Sequence, residues 1–165
     1  KPRVTANYPD HCITIQLPAR QGKVLAVGYR GGKEVLRDSL VNHGPVADVS
    51  LEADFTELNT IAPDYSSVTA KNTVSHIRLK LVDSEGRIQQ MQPRRFRVEV
   101  EGPLRLLGVE TGDMRRTESW RTTELDTYFG EGLVRVQSTL QTGKGRVVFH
   151  VDGFDKPFVK ELTIK

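Results

Sequence analysis

Apolar and polar residues alternate over short runs through most of this chain, which is the period of half-buried strands and not of helices. Residues 12–17 place Ile13, Ile15 and Leu17 on one face and Thr14 and Gln16 on the other. A second run at 24–30 ends in Gly31-Gly32, a pair suited to the positive φ angles of a two-residue hairpin turn, and a third run follows at 33–40. These runs predict a β-meander. Three strands cannot bury both faces of a sheet, so the segment is expected to be an incomplete module or a layer laid against the next one.

The cluster Asn42-His43-Gly44-Pro45 predicts a boundary, because it combines turn residues with a proline that stops one strand before another begins. The expected division is therefore 1–43 and 44–165. Beyond it Val49, Leu51, Ala53 and Phe55 alternate with polar neighbours, and residues 56–67 are irregular around Ala62-Pro63-Asp64. The next strand puts Ile77, Leu79 and Leu81 inward and His76, Arg78 and Lys80 outward, and Phe96, Val98 and Val100 form another. Val134 and Val136 repeat the pattern, Gly143-Lys144-Gly145 is expected to turn the chain into Val147, Phe149 and Val151, and residues 158–164 close it. Turn spacing of this kind predicts about seven strands in an antiparallel sandwich.

One stretch breaks the alternation. Residues 111–127 are polar, follow neither strand nor helix period, and contain the only tryptophan, Trp120. Long loops in compact β domains are usually functional or packed by their own side chains, so Trp120 is expected to plug the end of the sandwich.

The residues around this loop resemble the C-terminal immunoglobulin-like region of family-2 glycoside hydrolases of the β-galactosidase type. The resemblance rests on Gly102-Pro103, then Leu106, Gly108, Val109, Gly112 and Asp113, then Thr117, Glu118 and Trp120, and finally Tyr128, Gly130, Gly132 and Leu133. Just before Tyr128 the family tends to carry basic residues, whereas this chain has Glu124 and Asp126. The segment 25–39 is similar to the closing hairpin of the preceding module in the same enzymes. The resemblance implies an all-β chain, an immunoglobulin-like antiparallel β-sandwich at 44–165 preceded by a partial β-sandwich or meander, 1–43, that ends the preceding module. It further implies a piece of a longer polypeptide, secreted or periplasmic, whose catalytic and other β domains are its partners. The acid and nucleophile of such enzymes sit on a (β/α)8 barrel outside this sequence, so the fragment itself is expected to be a non-catalytic accessory module.

Composition narrows the alternatives. Lys and Arg number 24 against 21 Asp and Glu, a net charge of +3 spread along 165 residues, which lacks the clustered basic patch that nucleic acid requires. No run of residues is apolar and long enough for a membrane-spanning helix. A single cysteine, Cys12, excludes an intrachain disulfide and a multi-cysteine metal site. The four histidines, His11, His43, His76 and His150, are far apart, and phosphate-cradling or nucleophile motifs are missing, so no catalytic residue, cofactor or metal is expected.

Asp113, Glu118, Trp120 and Tyr128 remain as candidate carbohydrate or interdomain contacts. Glycoside hydrolysis uses carboxylates about 5 to 9.5 Å apart across the sugar, but Asp113 and Glu118 are expected to accept loop N–H groups and hold the loop in shape. A second function class is a carbohydrate-binding or adhesion sandwich that uses Trp120 and its neighbours, and exposure of the indole separates the two.

Overall fold

The computed structural model describes residues 22–61 and 72–165, and every regular element among them is a β-strand. The chain divides into two units, Lys1–Asn42 and His43–Lys165. In the first, β1 (Lys23–Arg30) pairs antiparallel with β2 (Lys33–Val41) across Gly31 and Gly32, whose φ angles are 55° and 77°. Asn42 closes the open end, its N–H donating to the Gly22 carbonyl and its side-chain oxygen accepting from the Gly22 N–H, both at 3.1 Å. The strand expected at 12–17, with His11 and Cys12, lies outside the described residues.

The second unit is a two-sheet sandwich. One sheet has four strands, from β3 (Asp48–Ala53) through β5 (Val74–Val82) and β9 (Glu131–Ser138) to β7 (Leu104–Glu110). The other has five, ordered β4 (Glu57–Leu58), β11 (Phe158–Ile164), β10 (Gly143–Val151), β6 (Arg95–Glu101) and β8 (Glu124–Asp126). All pairings are antiparallel except β4 on β11. Ile77, Leu79 and Leu81 are fully buried while His76 and Arg78 face out, as the alternation of β5 predicts. They meet Phe96, Val98, Phe149 and Leu162 from the opposite sheet in one core. Each such side chain contributes about 1.5 to 3 kcal/mol through removal from water.

Three local expectations are corrected. Residues 57–58, placed in an irregular stretch, form β4 along the free edge of β11. Residues 124–126, placed in the loop, form β8 on the edge of β6, so the irregular connection is only 111–123. Edge strands this short hold too few residues to display a period; the backbone groups of the neighbouring strand recruit them. Gly143-Lys144-Gly145 is strand and not turn, paired with Ile164, Thr163 and Leu162. Its second glycine leaves room for the opposite sheet, since a Cβ there would meet Leu104 Cδ1 at 2.4 Å.

A buried carboxylate fixes the entry to the sandwich. Asp83, at the end of β5, accepts N–H groups from Gly44 at 2.8 Å and from Glu85 and Arg87 at 2.9 Å, and the Arg87 Nε at 2.9 Å. These donors, the Gly44 N–H foremost, hold its carboxyl far below the ordinary carboxylate range against the opposing effect of burial.

Candidate functional site

The site is built on a bulge. The pairing of β7 with β9 slips between Leu106 and Gly108, so Leu106 packs on the core while Gly108 sits opposite Arg135. The 111–123 loop folds back over that bulge. Val109 N–H donates to the Trp120 carbonyl at 3.2 Å, tying the loop to β7. Gly108 is buried beneath this contact, and any Cβ there would stand 2.9 Å from the Trp120 oxygen. The glycine is required by a close approach of backbone to backbone.

Trp120 is not a plug. Its residue exposure is 56%, so the loop is fastened by its backbone at Trp120 and leaves much of the ring in solvent. The expectation of a buried indole fails because the docking is made by main-chain groups, which composition does not reveal. The Arg121 guanidinium lies over the indole at 5.7 Å from its centroid, a cation–π arrangement.

Arginines do much of the loop's internal bracing. Asp113 accepts the Arg115 N–H at 3.0 Å and both Nε and Nη2 of its guanidinium at 2.9 and 3.0 Å. That guanidinium, first among the causes, lowers the Asp113 carboxyl below its usual range. The same Arg115 lies 5.7 Å from the Tyr128 ring centroid, so Asp113, Arg115 and Tyr128 form a stack. Arg116 donates to the carbonyls of Val109 at 3.2 Å and Glu118 at 3.4 Å. The Glu118 carboxylate accepts the Thr117 N–H at 3.1 Å. Glu124 and Asp126 both face Arg95 of β6, at 2.7 and 3.7 Å, which makes them clamps for β8.

The structure brings Asp113, Glu118 and Trp120 to one shallow groove of about 480 Å³, shared with Glu110, Met114 and Arg116. Tyr128 is not part of that lining and joins only through Arg115. A second groove of about 600 Å³ lies along β7, where Trp120 meets Arg105, Arg121 and Arg135. The arginines were missed in the sequence because they come from β7, the loop and β9. Only the adjacency of Trp120 and Arg121 was visible there. Among the described residues no group of three His, Cys, Asp or Glu side chains is placed to hold a metal. Of the histidines described, His76 pairs with Asp54 at 2.8 Å and His150 Nε2 is buried with no hydrogen-bond partner.

The fold is a two-sheet sandwich with a long aromatic-bearing loop after a bulged strand. The chain belongs to glycoside hydrolase family 2 as C-terminal domain 5, whose family model matches residues 50–160. A family-2 glycosyl hydrolase from Bacteroides cellulosilyticus is 28% identical, with a TM-score of 0.74 over 90% of this chain and 18% of that one. A β-glycosidase from Bacteroides vulgatus is 22% identical, with a TM-score of 0.68 over 89% of this chain and 18% of that one. A family-2 β-glucuronidase is also 22% identical, with a TM-score of 0.67 over 88% of this chain and 14% of that one. The chain thus spans under a fifth of these proteins, and at 22% identity the last two show the fold alone. No curated protein matches the sequence.

Proposed function

We propose that this chain is a non-catalytic accessory module of a longer family-2 glycoside hydrolase, packing on the catalytic and other β domains of the same polypeptide. The observation that carries this is the family match over residues 50–160, in a sandwich whose loop carboxylates Asp113 and Glu118 accept hydrogen bonds from loop N–H groups. The β-galactosidase type of the parent rests on the motif resemblance, and the structural neighbours also include a β-glucuronidase. Residues 1–43 end the preceding immunoglobulin-like module. In support, Leu36 and Leu40 of β2 are 69% and 76% exposed, a surface that the rest of such a module would cover. The family resemblance supports a secreted or periplasmic parent.

A second reading is favoured by the exposed indole. A half-solvated tryptophan beside two grooves offers a ring face for a sugar, so the module also contributes carbohydrate binding to its parent. The accessory reading is tested by assaying the isolated 165-residue chain on aryl β-galactosides and aryl β-glucuronides. No turnover is expected from the folded chain, and turnover abolished by Glu118→Gln overturns it.

A further inference from the structure

We propose that the groove between β7 and the 111–123 loop takes an acidic saccharide, a uronate-containing chain, with its carboxylate on Arg105 and Arg121 and a pyranose ring against Trp120. This rests on the carbohydrate-binding reading above and names the class of sugar.

Hydrogen-bond donors dominate this groove. Arg105, Arg121 and Arg135 reach one groove of about 600 Å³ from three separate segments, and no acidic side chain lines it. Arg135 is already paired with Glu110. Arg105 is not neutralised in this way: its Nε and Nη2 both lean on the side-chain oxygen of Gln137, a neutral acceptor. Arg121 lies over the indole, and among the described residues neither it nor Arg105 is in a salt bridge with a carboxylate.

Guanidinium groups only donate, and their planar fork matches a carboxylate in bidentate fashion. A neutral sugar offers hydroxyls that need acceptors as well as donors, and the side chains of this groove supply almost none. A uronate supplies the acceptor that the groove lacks and also carries the apolar ring face that stacks on indole. The groove on the other side of Trp120 holds Glu110, Asp113 and Glu118 and is unsuited to an anion. Charge thus selects the β7 side.

Trp120 is the only tryptophan, so its fluorescence reports the two grooves it borders, and the arginine variants assign the signal to the β7 side. The test titrates the 165-residue chain with an oligogalacturonate, its methyl ester, a neutral cello-oligosaccharide and a poly-glutamate peptide, at two salt concentrations. The uronate is expected to perturb the fluorescence, to bind about tenfold or more tightly than its ester, and to weaken with salt. Arg121→Gln and Arg105→Gln should each cost about tenfold, while Arg97→Gln, exposed on β6 of the other sheet, leaves binding unchanged. Circular dichroism of each variant confirms that it is folded. Equal binding of uronate, ester and neutral sugar overturns the acidic specificity and leaves the carbohydrate reading standing. No response to any saccharide overturns both. A poly-glutamate response equal to that of the uronate overturns the proposal in favour of an acidic polypeptide contact.

Discussion

Gly108 and Trp120 touch backbone to backbone: a Cβ on the glycine would lie 2.9 Å from the tryptophan carbonyl oxygen and 3.3 Å from its Cε3. The relationship holds the loop to the bulge of β7, and with it the shape of both grooves. Gly108→Ala should therefore lift the loop and release the Val109 to Trp120 hydrogen bond. Amide hydrogen exchange of residues 111–123 should speed up, whereas the core amides of β5 and β10 should keep their protection.

Trp120→Ala is expected to destabilise the sandwich only modestly. A fully buried aromatic truncation costs about 3 to 5 kcal/mol. With the residue 56% exposed, the loss should be on the order of 1 to 2 kcal/mol from the smaller area returned to water. Urea denaturation of wild type and variant measures it, and a loss in the range of a core aromatic would restore the plug.

Asp83 should make stability depend on acid. Its folded carboxyl ionises more readily than in the unfolded chain, so the unfolded chain binds the proton more tightly. The stabilisation is fully present above the ordinary carboxylate value of about 4 and is lost as pH falls through that value toward the lower folded one. Asp83→Asn should lower the melting temperature at neutral pH, and the gap from wild type should narrow as pH is taken from about 5 to about 2. A gap that stays constant over this window would place the effect elsewhere.

Gly132 of β9 faces Phe96 of β6 across the two sheets. An added Cβ would stand 2.7 Å from Phe96 Cζ, and Phe96 is only 1% exposed, so the ring has little room to retreat. Gly132→Ala should cost about 1 to 3 kcal/mol by overpacking. Adding Phe96→Leu to that variant should recover part of the loss, which a double-mutant cycle in urea would show as a coupling between the two sites.

Much of the sandwich was legible in the sequence because strand alternation is a local property. The long strands β5, β6 and β9 carry their inward and outward sets within a few residues, as Ile77, Leu79 and Leu81 do against His76 and Arg78. The family motif was legible for a related reason. Two of its glycines, Gly108 and Gly132, mark places where another part of the chain comes too close for a side chain, although the partners, Trp120 and Phe96, were not visible.

Tertiary structure alone decided the rest, because it depends on what a segment meets far along the chain. Strands β4 and β8 exist through the edges of β11 and β6 that recruit them, and neither is long enough to carry a period of its own. The basic groove is of the same kind: Arg105, Arg121 and Arg135 look like scattered surface charge until the β7–β9 pairing and the fold-back of the loop bring them together. Trp120 shows the limit most plainly. Sequence determined that a lone large aromatic sits in a polar loop, and hydrophobicity favoured its burial. The fold satisfied the loop through the Trp120 carbonyl on Val109, so its anchoring needed no indole in the core and the ring was left half in water.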